Sequence, residues 1–305
     1  MFRRLATPSL VLAALVAATQ ASALAQSGQP TPTPAPQDTA PPPIQEEMRK
    51  ETQQRTARES KDLKNPTGEQ VAEFVIAIYG NTYGRAMLNQ VRRTGVERGR
   101  TTRVGADNRS EEVAYEQRFI RGESFAKDKV RLDQKTSAVE YSLVYNEGKI
   151  FGIINNTPFT PRTEATTSFL APAHHGIDAL LRYKENGSTV AFVTKDRQKN
   201  IDLWVVDLTD KAGRKTRYYI SANPDVRLTA RVLWLEYERP DPATGEAVKY
   251  KQTFHDYRIA QGTLVPFRSV LYANGKQIEE TRISTVTYGV KMDDSYFKSP
   301  ESAAN

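Results

Sequence analysis

The chain has three histidines, and two of them, His174 and His175, stand side by side in the stretch LAPAHHGIDALLRY at 170–183. Asp178 follows at helical spacing, and the third histidine comes with a carboxylate of its own as His255-Asp256. Imidazole and carboxylate are the ligands of a hydrolytic zinc site. His175, Asp178 and His255 are therefore the set that a metal-dependent hydrolase would use. The spacing works against it. A helical zinc pair needs two histidines on one face, as at i and i+4, whereas adjacent residues point about 100° apart around a helix. Read as a helix, the stretch puts His174, Ile177 and Leu181 on one stripe. His175, Asp178 and Arg182 fall on another, where Asp178 and Arg182 stand at ion-pair spacing. Only one histidine meets Asp178. Ser295-Tyr-Phe-Lys298 fits the Ser-x-x-Lys pattern of serine acyl enzymes but lacks its companion motifs. No Gly-x-Ser-x-Gly elbow, phosphate-binding glycine loop or cysteine nucleophile occurs. The expectation is a non-enzymatic protein without metal or cofactor, in which the two histidines mark the first turn of a helix.

That helix, expected over 172–184 with Pro172 at its start, interrupts a long run of strands. Before the strands, NPTGEQVAEFVIAIYG reads as a helix entered at Pro66-Thr67, with Val71, Phe74, Val75 and Ile78 at helical spacing. A second short helix runs from Tyr83 to Arg92. Beyond Gly95 the period becomes two, as in Val139, Tyr141, Leu143 and Tyr145. Turn signals punctuate the runs: Glu147-Gly148, Asn186-Gly187, Ala212-Gly213, Ala243-Thr244-Gly245, Gln261-Gly262 and Asn274-Gly275. Such short turns imply antiparallel neighbours. About ten strands in one meander cannot stay flat. Residues 201–208 and 232–237 are apolar on both faces, so both faces are covered there. The fold class expected is mainly β (α+β): a single large curled antiparallel sheet, an unclosed half-barrel, with helices over its concave side.

The 305 residues carry a net charge of +7 and no cysteine. Residues 1–25 have the anatomy of a secretion signal: Arg3 and Arg4, an apolar core at 10–16, and Ala23-Leu24-Ala25 before the expected cut. Cleavage removes those two arginines and no acid, so +7 becomes +5. That mild excess, interspersed with acids, is no nucleic-acid footprint. Without cysteine the exported chain has no disulfide and no thiol for a lipid anchor. Residues 26–65 are proline-rich, then almost wholly charged and polar, and read as a disordered linker. One domain is expected over 66–300, followed by a tail at 301–305.

The C-terminal stretch VPFRSVLYANGKQIEETRISTVTYGVKMDDSYFKSP combines a proline-bearing strand, a Gly-containing hairpin, a strand with Ile283 and Val286, and then Asp-Asp-x-x-Phe-x-x-Pro. With KVRLDQ…VEYSLVYNEGKIFGI and DLWVVDLTDKAGRKTRYYI…LWLEYE before it, this resembles the LolA-like proteins, the periplasmic outer-membrane lipoprotein-sorting factors and their relatives, over roughly 68–300. The resemblance implies an unclosed barrel around an apolar cavity with helices as a lid, and partners that are lipids, acylated proteins or envelope proteins. No lid arginine of the carriers can be matched to a position here. The expected function is a periplasmic carrier of an acyl or lipid ligand; an envelope protein-interaction or stress-sensing module is the alternative. The residues expected to line the cavity are Tyr141, Leu143, Leu203, Val205, Leu233 and Leu235 on the sheet, with Ile177 and Leu181 on the lid. A one-residue register error would turn any strand's set to the other face.

Overall fold

A computed structural model describes residues 65–300 except 82, 106, 224, 226, 227, 242 and 243. The expected export signal, the linker up to residue 64 and the tail at 301–305 lie outside the described residues. Two helices come first, α1 (Gly68–Tyr79) and α2 (Gly84–Val91). Six strands follow: β1 (Thr94–Val104), β2 (Ser110–Ile120), β3 (Lys129–Lys135), β4 (Glu140–Asn146), β5 (Lys149–Ile154) and β6 (Thr157–Phe159). Three short helices, α3 (Thr163–His175), α4 (Ile177–Leu181) and α5 (Tyr183–Asn186), lead to the second set of strands. These are β7 (Thr189–Gln198), β8 (Ile201–Thr209), β9 (Lys215–Ser221), β10 (Val232–Pro240), β11 (Ala247–Ala260), β12 (Thr263–Ala273) and β13 (Lys276–Tyr288). No helix among the described residues is long and apolar enough to cross a membrane.

All thirteen strands form one antiparallel sheet in the order β6-β5-β4-β3-β2-β1-β13-β12-β11-β10-β9-β8-β7, and the sheet does not close. Each half is a meander, and the halves join where β1 pairs with β13. β6 and β7 are thus opposite edges, although only α3–α5 separate them in sequence. The three helices carry the chain from one edge to the other across the inner face.

Local chemistry explains most boundaries. Thr67 and Gln70 cap each other's backbone at the start of α1, a reciprocal capping box. Glu147-Gly148, Gln261-Gly262 and Asn274-Gly275 each place two residues at positive φ in a two-residue hairpin turn. Asn186-Gly187 does not turn a hairpin. Gly187 ends α5 as a left-handed cap at φ 64°, the other structure that needs positive φ. The helix expected to begin at Pro172 begins at Thr163 and holds Pro172 inside it. Proline removes one internal hydrogen bond, and α3 runs on for three residues before breaking at Gly176.

α1 lies over the β7–β12 half of the inner face. Phe74 meets Trp204 of β8 edge to face, with centroids 5.7 Å apart. Val71, Val75, Ile76 and Tyr79 pack with Val206, Tyr218, Ile220, Val232 and Leu235 in one core. On the outer face of β4 and β5, a different plug sits. Asp293 accepts from the Ser295 N–H, capping a short 3₁₀ turn at Asp294–Phe297, and Phe297 is fully buried against Val144 and Ile153.

Candidate functional site

The other half of the inner face, β1–β4 with β12 and β13, has no helix pressed into it. A cavity of about 990 Å³ lies there between the sheet and α3–α4. Cross-strand pairing arranges its wall in rows. One row runs Tyr145, Val130, Phe119, Gly95 and Tyr288; the next runs Leu143, Leu132, Gln117, Glu97 and Val286; a third runs Tyr141, Gln134, Tyr115, Gly99 and Ile283. Gly95 and Gly99 leave room for their neighbours. A Cβ at Gly95 would come within 2.5 Å of the Phe119 ring, and one at Gly99 within 2.8 Å of the Tyr115 hydroxyl. Phe125, stacked on Tyr145 at 4.7 Å, and Phe169, Pro172 and Ile177 close the helical side.

The eight residues expected to line the cavity fall in different environments. Tyr141, Leu143 and Ile177 lie on its wall. Leu181 and Leu235 belong to the solid core under α1, so the space beside them is filled by side chains. Leu203 and Val205 are buried, but on the face of β8 turned away from α1, because Trp204 and Val206 alternate with them and face the helix. Leu233 sits in a bulge between Val232 and Trp234, where strict alternation fails, and does not reach the cavity. The sequence pattern did not single out Phe119, Leu132, Val265, Ile283 or Tyr288, which also lie in the wall. Their period-two spacing was visible; the side they face was not.

The histidines are parts of packing. His175 Nδ1 is 2.7 Å from Thr216 Oγ1, and its ring stacks on Tyr237. His255 is exposed on β11 beside Thr253. His175, Asp178 and His255 do not come together, and no group of three side chains able to hold a metal occurs among the described residues. Asp178 does not pair with Arg182. It takes Arg92 and Arg121, while Arg182 pairs with the buried Asp128. The α3–α4 junction is pinned by Tyr218, whose hydroxyl donates to His175 O at 3.1 Å and to Gly176 O at 2.9 Å.

The cavity wall carries polar groups as well. Tyr115 donates to Glu97 Oε1 at 2.8 Å. Burial pushes the Glu97 carboxyl up, and the negative charge of Asp178 adds to the rise. At Asp178 burial pulls the same way, but Arg121, Arg92 and Arg182 outweigh it and hold that carboxyl below its ordinary range. The two acids thus shift in opposite directions: burial prevails at Glu97, and the arginines prevail over it at Asp178.

No family model and no curated protein matches the sequence. Solved structures do match in three dimensions. A LolA superfamily protein from Nitrosomonas europaea is 8% identical over 76% of this chain and 98% of its own, with a TM-score of 0.50. A DUF1329 family protein from Desulfovibrio piger is 12% identical over 72% of this chain and 96% of its own, with a TM-score of 0.52. At these identities the likeness is one of fold. It agrees with the resemblance read from the C-terminal motif, whose Asp293 caps a turn and whose Phe297 plugs the outer face of the sheet. One curled, unclosed antiparallel sheet with helices across its inner face is the architecture of this chain, and the fold is LolA-like.

Proposed function

We propose that the protein is a non-enzymatic periplasmic carrier that holds an acyl chain or lipid between the hollow half of its sheet and α3–α4. The observation that carries this reading is the cavity itself. At about 990 Å³ it stands at the upper end of the roughly 300–1,000 Å³ typical of small-molecule sites. Tyr141, Leu143 and Ile177 are the proposed contacts on its apolar side, together with Leu132, Phe267 and Ile283. Acyl surface buried there gains about 25 cal/mol per Å². The reading of residues 1–25 as an export signal and the LolA-like fold support a periplasmic setting and a cargo role.

The test is direct. Protein purified without detergent is extracted and analysed by mass spectrometry for bound lipid, and an environment-sensitive acyl probe is titrated into the emptied protein. Co-purifying lipid, and probe binding weakened by Leu143→Trp, are the expected results. No lipid and no probe binding would overturn the reading.

A further inference from the structure

One end of the cavity is charged in an unbalanced way. Beside Tyr288 three side chains from three parts of the chain meet: Arg92 after α2, Arg121 after β2, and Asp178 on α4. Arg92 Nη1 lies 3.4 Å from Asp178 Oδ1, and Arg121 Nη2 donates to Asp178 Oδ2. The side chains of Arg92 and Arg121 are 6% and 15% exposed. Asp178 keeps 44% exposure although protein surrounds it, so its open surface looks into the cavity.

Two guanidiniums therefore share one carboxylate. The adjacent Arg182–Asp128 pair is balanced within itself. Glu97, one row further along the sheet, is held by Tyr115 and driven towards its neutral form by burial. At the far end Arg103 is matched by Glu279. The ring faces of Tyr288 and Phe119, 5.4 Å and 5.2 Å from the guanidinium carbons of Arg92 and Arg121, compensate only part of the excess. A positive charge taken out of water without a full partner is costly, and an anion relieves it. Arg92 is fixed by Thr263 Oγ1 at 3.2 Å and Leu264 O at 2.7 Å. Among the described residues the Arg121 guanidinium donates one hydrogen bond, to Asp178, so other donors of its fork are open to a ligand.

We propose that this end of the cavity is an anion subsite, taking a single carboxylate or phosphate at the head of an acyl chain that lies along β1 towards Arg103. The inference rests on the reading of the cavity as a ligand site. From Glu97 to Arg103 six residues of extended strand span about 20 Å, room for a long chain. Asp178 acts as a resident counter-ion that a ligand's acidic group joins or replaces.

Displacement of an acyl probe by dodecanoate, dodecyl phosphate and dodecanol tests it, with acetate and inorganic phosphate as chain-free controls. The two acidic amphiphiles are expected to displace the probe at concentrations about ten-fold below dodecanol, the strength of a charge-assisted hydrogen bond. Acetate and phosphate should not displace it. Arg121→Gln should bring the acids level with dodecanol, Arg121→Lys should retain part of the gap, and Asp178→Asn should widen it, each variant checked for folding by circular dichroism. Equal binding of dodecanol and dodecanoate by the wild type, or a gap that survives Arg121→Gln, would overturn the anion subsite and leave the carrier reading standing. Displacement by acetate or phosphate alone would overturn the head-and-chain assignment. No displacement by any amphiphile would overturn both.

Discussion

His175 lies flat against Tyr237, with the ring planes 1° apart and the centroids 4.0 Å apart. Tyr237 stacks in turn on Tyr250, and the Arg239 guanidinium lies over that ring. The column ties the end of α3 to β10 and β11, so the helix that spans the cavity is anchored through an imidazole.

Burial pushes His175 down to about 3 and its neighbour His174 down to about 4. Above their ordinary value of 6.5 neither state of the chain is charged at these positions. As the pH falls from there towards 3, the unfolded chain takes up protons that the folded chain refuses. The fold then loses stability at about 1.4 kcal/mol per pH unit for each such group. In urea unfolding, the stability difference between pH 7 and pH 5 should shrink by about 2 kcal/mol in His175→Gln. An unchanged difference would show that the imidazole is charged in the fold.

Gly68 opens α1 where the helix meets the edge strand β7. A Cβ there would lie 2.4 Å from Val190 O and 2.6 Å from the Ala191 carbonyl carbon. Backbone cannot swing aside as a side chain can, so Gly68→Ala should cost about 1–3 kcal/mol by overpacking, despite alanine's better helix propensity. The denaturant midpoint reads this; a stabilised variant would refute the close approach.

Tyr218→Phe removes the hydroxyl that holds the carbonyls of His175 and Gly176. The loss should be about 1–3 kcal/mol, because the buried His175 carbonyl loses this donor, while Gly176 O keeps the Ala179 N–H. Hydrogen exchange should rise first in α3 and α4 and leave α1 protected. A uniform rise over the whole domain would mean that the junction is not a separate latch.

The two halves of the inner face should respond oppositely to changes in volume. Leu143→Trp adds bulk beside empty space and should block the acyl probe at little cost to stability. Leu235→Ala empties a site in the solid core under α1 and should cost about 2–5 kcal/mol with probe affinity unchanged. Paired thermal melts and probe titrations distinguish the two; loss of probe binding in Leu235→Ala would place the ligand under α1 instead.

Much of the architecture was legible in the residues themselves. Helix α1 is announced by Thr67 and its apolar spacing, and three hairpins by Glu147-Gly148, Gln261-Gly262 and Asn274-Gly275, because only certain residues tolerate positive φ at low cost. The same rule misleads at Asn186-Gly187, since a helix cap asks for the same backbone as a hairpin. It is silent at Asn155-Asn156 and Lys199-Asn200, which make positive-φ turns without glycine. The first of those turns leads into β6, one of the strands by which the thirteen found exceed the ten or so expected.

The facing of strands could not be counted from the sequence. Asp256, at φ 51°, breaks the alternation along β11 while its register with β12 stays the same on either side, and Tyr257 rather than Asp256 turns inward to meet the Tyr79 hydroxyl at 2.9 Å. The bulge between Val232 and Trp234 puts Val232 rather than Leu233 into the core beside Leu235. Bulges depend on the partner strand as much as on the bulged one.

The sequence by itself determined that this chain makes one curled antiparallel sheet with apolar inward positions, because alternation and turn chemistry are local. Which of those positions face a cavity was decided only in three dimensions. Leu143 and Leu235 are both apolar residues in alternating strands. α1 lands over Leu235 and fills the space, while α3 and α4 bridge above Leu143 and leave it open. The same crossing brings Asp178 to Arg92 and Arg121, residues that stand 86 and 57 positions away along the chain.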